Sequence, residues 1–352
     1  MNKKTVILAM PPIFGIHQAI ADNLRFHGFE VIEIIYGEDR KFIYSNIWQH
    51  AKKIFFRNIL RQREYKKEQL FKSYASHFIK QLNAIDGQVD YCLMFWPGGF
   101  PSSFIQTLRR KSRLMVHYNW ERLDFLEHEF YKIRYFDKFL FFDPYDIGKK
   151  QSYHEKLIPI TSFWIDCYPE NNESTNSLLF VGSHAKQRTK SIQIFYQVAK
   201  KNNIPIEFYI CAQDGNIERA QEELKIEEAK YYPASESISY PEYLKMVKKS
   251  SILIDFLNEK HYGLSLRIFE AIGYEKKIIT TNPTIFNYDF YHPNNMFLWN
   301  GKNIDELKQF MQTPYHKLSD ELKNKYSFKN WIYFVFDIYP NIPITLPNLD
   351  LL

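Results

Sequence analysis

The sequence predicts an α/β protein of two successive doubly wound halves, each a parallel sheet flanked by helices. Three observations carry this. Short apolar runs of strand length alternate with segments of helical period along the chain. The runs end in loops rather than tight hairpin turns, which indicates parallel crossover connections. The alternation stops at residues 168–177, a polar stretch without apolar periodicity, and then restarts. With 352 residues and a hydrophobic fraction of 45%, each half has material for its own core. The expected division is 1–168, 177–326, and a C-terminal helix and tail over 327–352 packing back on the first domain.

The elements follow in order. Residues 4–10 make a compact apolar strand, and a Gly-containing turn over 11–15 leads into a helix near 16–27. Residues 29–36 are the second strand, and a long basic helical region follows. Residues 89–96 form the third strand, which ends in Pro97-Gly98-Gly99. A helix over 102–111 leads to a strand at 114–118, and 138–142 and 156–160 are further short strands. After the polar stretch, a strand at 178–181 runs into a Gly182-Ser183 turn, a helix over 189–201 and a strand at 206–210. Residues 240–249 are helical, with Pro241 suited to the first turn. A strand at 251–256, a helix over 264–274 and a strand at 277–281 come next. Helices at 304–311 and 328–338 close the chain.

Composition excludes several classes. Only three cysteines occur, Cys92, Cys167 and Cys211, far apart and without metal-ligand spacing, so a disulfide framework is excluded and a reducing, cytoplasmic compartment is expected. The apolar start is too short for a signal peptide, and no apolar run reaches the roughly 18–20 residues of a spanning helix. The net charge of +6 is modest but clustered: residues 50–80 hold nine Lys or Arg against two acids, interleaved with apolar residues including Phe55, Phe56, Leu70 and Phe71. Such a segment suits an anionic membrane surface, or equally a solvated helix face with a core stripe. No nucleic-acid-binding motif accompanies the charge, so a nucleic-acid partner is not expected. Neither a Gly-x-Gly-x-x-Gly nor a Walker A loop is present, which disfavours NAD enzymes and P-loop kinases.

The most informative stretch is 254–282. A buried strand runs into a polar loop, Gly263 permits a close backbone approach, and a helix starts near Leu264 after the loop. The free N–H groups and dipole of a helix start attract phosphate. Ser265 lies at this helix start. Arg267 in the first turn adds a charged donor for a diphosphate. Glu270, three residues on, shares its face and suits two ribose hydroxyls. The same spacing also suits a surface ion pair on an amphipathic helix. A second candidate is the loop that opens the second half, where Gly182, Ser183, Lys186 and Arg188 follow a strand; a solvated basic turn is the alternative.

Gly263-Leu264-Ser265-Leu266-Arg267-Ile268-Phe269-Glu270-Ala271-Ile272-Gly273, with Lys276-Lys277-Ile278-Ile279-Thr280-Thr281-Asn282, resembles the donor-binding signature of bacterial glycosyltransferases of the GT-B fold. More narrowly it resembles a family of capsule and lipopolysaccharide biosynthesis proteins. Asn119-Trp120-Glu121-Arg122-Leu123, Phe142-Asp143-Pro144-Tyr145-Asp146 and Phe180-Val181-Gly182-Ser183-His184 fit that family as well. The resemblance covers roughly residues 90–300, while 37–85 match nothing. It implies two Rossmann-like doubly wound domains facing a central cleft, with the donor on the second domain and the acceptor on the first. The broader retaining families carry two Glu eight positions apart; here Glu259 and Glu270 are eleven apart.

Within that frame the strand ends of the first domain select Gly15, His17, Trp96, Gly98, Gly99 and Asn119 for the acceptor. His117, Glu121 and Asp124 are candidates for the base that takes the acceptor hydroxyl's proton. Asp143 and Asp146 read as structural. No Asp-x-Asp triplet appears where a metal-dependent transferase needs one, so no metal and no cofactor are expected; basic side chains and helix dipoles would stabilise the leaving diphosphate. The expected partners are a nucleotide-sugar donor and a glycan or lipid-linked glycan acceptor of a surface polysaccharide. Segment 50–80 would hold the protein at the inner face of the cytoplasmic membrane. The alternatives are a GT-B-shaped nucleotide-sugar epimerase and a non-catalytic nucleotide- or sugar-binding module.

Overall fold

The computed structural model describes residues 3–37, 65–149, 155–168 and 177–349. The chain divides into two compact units, each built on a six-stranded parallel sheet. Phe14–Ala19, residues 142–149 and the described chain from Pro159 onward belong with the second unit.

In the first unit, β1 (Thr5–Met10), β2 (Glu30–Ile35), β3 (Val89–Phe95), β4 (Ser112–Asn119), β5 (Lys138–Phe141) and β6 (Leu157–Pro159) lie in the order β2-β1-β3-β4-β5-β6. The register between neighbours is parallel, for example Val6 opposite Val31 and Tyr91. Val6 to Met10 and Cys92 to Phe95 are buried, as central parallel strands covered by helices on both faces require. Helices α1 (Ile16–Phe26), α2 (Tyr65–Asn83) and α3 (Ser102–Lys111) connect the strands. The strand order reverses between β1 and β3, so the loops after those strands are where a ligand is expected.

The described part of the basic 50–80 segment is α2, and residues 50–64 lie outside the described residues. Leu70 and Phe71 are buried, Phe71 packing on Tyr36 and Phe104 at ring-centroid distances of 4.9 and 4.4 Å. These two side chains therefore belong to the core stripe and not to a membrane-facing surface. Among the described residues no helix is long and apolar enough to cross a membrane.

The second unit contains β7 (Leu178–Ser183), α4 (Lys186–Lys201), β8 (Ile206–Ala212), α5 (Ile217–Leu224), β9 (Lys230–Pro233), α6 (Tyr240–Lys249), β10 (Ile252–Asp255), α7 (Leu266–Gly273), β11 (Lys277–Thr280) and β12 (Met296–Leu298). Helices α8 (Ile304–Gln312), α9 (Asp320–Lys325) and α10 (Phe328–Val335) complete it. The strand order is β12-β11-β10-β7-β8-β9. The chain starts at mid-sheet, steps outward through β8 and β9, and returns to the other side of β7 at β10. That reversal creates the crevice at which doubly wound sheets bind ligands. β7 and β10 pair only through Leu178–Ile252 and Leu179–Leu253, so their carboxyl ends leave the ladder.

Local chemistry sets the helix starts. Ser239 and Glu242 form a reciprocal capping box ahead of α6, and Pro241 sits in its first turn. Ser265 takes the N-cap position of α7, so the helix begins at Leu266, two residues later than expected. β9, β12, α5 and α9 are additions to the expected elements; each is too short to show a clear period. The polar stretch expected as a linker lies almost wholly outside the described residues.

Candidate functional site

A pocket of about 700 Å³, including its open mouth, lies at the carboxyl ends of β7, β8 and β9 and the start of α7. It is lined by Gly182, Ser183, Ser265 and Arg267 together with Tyr232, Ile238, Tyr240, Tyr243, Cys211, Phe14 and Glu270. Five residues singled out in the sequence therefore converge here: Gly182, Ser183, Ser265, Arg267 and Glu270. Helix α7 begins in the pocket wall without a side-chain cap, after Ser265, and α4 also starts uncapped, after Ala185, beyond the lining residues. Ser265 does not cap its own helix because its hydroxyl donates to Asp255, Oγ to Oδ1 2.8 Å.

Asp255 organises the charges. Buried at the end of β10, it accepts from Ser265, from Arg267 Nη1 at 3.0 Å and from Thr280 Oγ1 at 3.1 Å. Arg267, its side chain only 14% exposed, also donates to the Val181 carbonyl. Its guanidinium stands 5.4 Å from the Phe180 ring centroid, and that of Arg188 stands 5.9 Å from the same ring. Arg188 donates to the Ser183 carbonyl and to Ser183 Oγ at 3.0 Å. Burial, and then the neighbouring Arg267 charge, pushes Arg188 down to about 10. The Nε atoms of both arginines are buried without a hydrogen-bond partner among the described residues. Two guanidinium groups around one ring concentrate positive charge here; Arg267 lines the pocket and Arg188 is not among its lining residues.

Glu270 is fully buried and accepts from the hydroxyls of Tyr240 and Tyr243. Burial raises its pKa, opposed by the two tyrosine hydrogen bonds and Arg267. Arg267 and Glu270 are thus not a surface pair: each has its own buried partners. A carboxylate has about four acceptor positions, so two remain after the tyrosines.

Other expected donor residues lie elsewhere. Lys186 is exposed at the first position of α4. Gly263 and Leu264 do not line the pocket. A Cβ on Gly263 would stand 2.7 Å from the Phe142 carbonyl oxygen and 2.5 Å from its ring, so this glycine serves backbone packing. Gly273 is similarly constrained, since a Cβ there would overlap the Trp164 ring. The sequence reading missed Asp255, Tyr240, Tyr243, Phe180 and Tyr232. A carboxylate ending an apolar strand and two tyrosines three apart on α6 were the available signals.

In the first unit, Trp96, Gly98, Asn119 and Glu121 line a second pocket with Phe125 and Glu129. Gly99 and Trp96 line an adjoining one with Tyr36 and Pro11. Asn119 clasps the next turn: its Nδ2 donates to the Glu121 carbonyl, and the Glu121 N–H donates to its Oδ1 at 3.1 Å. Asp124 is paired with Arg122 at 2.7 Å. His117 is fully buried between Phe136 and Phe139, at 5.3 and 4.3 Å, with Nδ1 3.0 Å from the Met94 carbonyl. Burial, and secondarily the Lys132 charge, lowers it to about 3. A neutral ring walled off in this way meets no acceptor hydroxyl, so its expected role as a base does not fit its position. Gly15 and His17 fall in the second unit, Gly15 at a φ of +72° beside the Tyr240 backbone. Asp143 accepts from the Tyr145 and Tyr262 N–H groups, at 3.0 and 2.7 Å. Among the described residues no group of three or more His, Cys, Asp or Glu is placed to hold a metal ion.

No family model and no curated protein matches the chain. Solved structures do. A glycosyltransferase from Rickettsia africae matches over 97% of this chain and all of its own, at 12% identity and a TM-score of 0.52. The UDP co-structure of S. aureus MnaA matches over 97% of this chain and all of its own, at 9% identity and a TM-score of 0.47. A UDP-N-acetylglucosamine 2-epimerase matches over 98% and 100%, at 9% identity and a TM-score of 0.46. With two six-stranded parallel sheets in two Rossmann-like units, and a full-length likeness to the Rickettsia glycosyltransferase, the chain has the GT-B fold.

Proposed function

We propose that this protein is a glycosyltransferase that moves a sugar from a nucleotide-sugar donor to a glycan acceptor. The observation that carries the reading is the second unit's pocket, where Arg267, Ser183 and the uncapped start of α7 adjoin the buried Glu270. Phosphate needs convergent donors, and ribose needs a carboxylate. Arg267, Arg188, Ser183 and the N–H groups of α4 and α7 would hold the diphosphate. Glu270 would accept from the ribose hydroxyls, and Tyr232 and Ile238 would flank the base.

The acceptor belongs to the first unit in this reading, with Glu121 as the base. The acceptor oxygen forms a bond to the donor's anomeric carbon as the bond from that carbon to the phosphate oxygen breaks. Glu121 takes the hydroxyl proton, and the nucleoside diphosphate leaves with the electron pair, its charge met by the two arginines. No cofactor or metal takes part. The motif resemblance supports an acceptor in bacterial surface polysaccharide synthesis, as a glycan or lipid-linked glycan.

The test is to incubate the protein with UDP-, GDP-, dTDP- and CMP-sugars, with and without pyranoside acceptors. Nucleotide release with formation of a new glycoside only when acceptor is present supports the reading. Isomerisation of the donor sugar without acceptor would replace it by an epimerase.

A further inference from the structure

We propose that the pocket of the first unit between Trp96 and Phe125 is a stacking subsite for an uncharged pyranose ring of the acceptor. The inference rests on the assignment of the acceptor to this unit and names its chemical class.

Trp96 and Phe125 are large apolar side chains left 44% and 45% exposed, and both line one cavity. Trp96 also adopts a left-handed backbone, φ 56° and ψ 69°, which a bulky residue rarely takes. Such a conformation persists only where the surroundings impose it, and it gathers at ligand sites. Here the imposing group is identifiable. Pro97–Gly99 forms a single 3₁₀ turn directly after Trp96. Beneath it the fully buried Lys132 ammonium donates to the carbonyls of Pro97 and Phe100, 3.0 Å each, and pairs with Glu129 at 2.7 Å. A lysine is seldom buried unless its charge is met, so this anchor fixes the turn and with it the Trp96 ring. Over Gly98 the indole Nε1 and Glu129 Oε1 converge, 3.5 and 3.8 Å from where a Cβ would stand.

The ligand class follows from the walls. A pyranose has an apolar C–H face and a rim of hydroxyls. Aromatic rings cover the first, and the carboxylates of Glu121 and Glu129 accept from the second. Both lysines near this floor are paired with Glu129, Lys132 at 2.7 Å and Lys67 at 3.4 Å. A uronate or sugar phosphate would therefore bring its charge to a pocket whose described cations are already engaged.

Saturation-transfer NMR on the full chain tests this, with methyl glucoside, galactoside and N-acetylglucosaminide as probes, and methyl glucuronide and glucose 1-phosphate as charged counterparts. At least one neutral glycoside is expected to receive saturation on its ring C–H protons. Trp96→Ala should weaken its binding about tenfold, Trp96→Phe less, and Phe125→Ala by an intermediate amount. Circular dichroism confirms the fold of each variant, and both side chains are exposed enough for folding to survive. Saturation of no neutral glycoside, an equal signal in folded Trp96→Ala, or preference for the charged sugars would overturn the proposal. Nucleotide titrations in parallel separate the two readings. Sugar binding at Trp96 without any nucleotide binding leaves this subsite standing and removes the transferase; the reverse removes only the subsite.

Discussion

The two units build their pockets from opposite materials. In the second, the polar side chains hold one another: Asp255 fixes Ser265 and Arg267, two tyrosines fix Glu270, and two guanidinium groups face one phenylalanine. In the first, half-exposed aromatic rings form the wall, and the fixed charges lie under the loop that carries them. The contrast teaches which ligand each can take. A multiply charged group leaving water needs partners already oriented and desolvated, because reorganising them on binding would cancel the gain. An uncharged ring asks chiefly for a flat apolar surface and a few acceptors.

The contrast breaks most sharply at the chemistry. Glu121→Gln removes the proposed base while leaving the donor pocket intact. It should lower kcat by about 10²- to 10⁴-fold with unchanged nucleotide affinity. A loss of nucleotide binding instead would erase the division of labour.

Rigidity gives the next comparison. Gly273→Ala would drive a methyl into the Trp164 ring, whereas at Gly98 the nearest atoms are 3.5 Å off. Overpacking of the first kind should cost about 3 kcal/mol or more, and the second about 0.5 kcal/mol or less. Denaturant melts of the two variants check this.

A smaller effect concerns His117. Its pKa of about 3 in the folded protein lies below the ordinary value of 6.5, so the unfolded chain binds the proton first. Stability should therefore fall as pH drops through 6.5 toward 3, by roughly 2–4 kcal/mol from this group. His117→Phe, which keeps a ring between Phe136 and Phe139, should flatten that acid limb. An unchanged pH profile would show that His117 titrates normally.

Much of the second unit's pocket was legible because its signals are local. A strand, a turn and a helix start placed Gly182, Ser183, Ser265, Arg267 and Glu270 within two short stretches, and the structure brings them together. The partners were not legible. Tyr240 and Tyr243 reach Glu270 from another helix, and Phe142 meets Gly263 from a strand end far upstream, so nothing in the local pattern announced them. Gly263 resembled a ligand-binding glycine and is a packing glycine. Lys132 carries no signal in the sequence, because burial of a charge is decided by the carbonyls of a distant loop. His117 looked like a base at a strand end, but strand residues alternate between faces, and its side chain points into the core.

In the proposed function the second unit binds a nucleotide through Arg267 and Glu270. Thermal melts with UDP, GDP, dTDP and CMP measure it directly, since a ligand at about 100 times its Kd adds about 2.7 kcal/mol to the native state. At least one of these nucleotides should raise the Tm of the wild-type protein by several degrees. Arg267→Ala and Glu270→Gln should lose most of that rise, and Trp96→Ala should keep it. No rise with any nucleotide, or an equal rise in folded Arg267→Ala, would contradict the account.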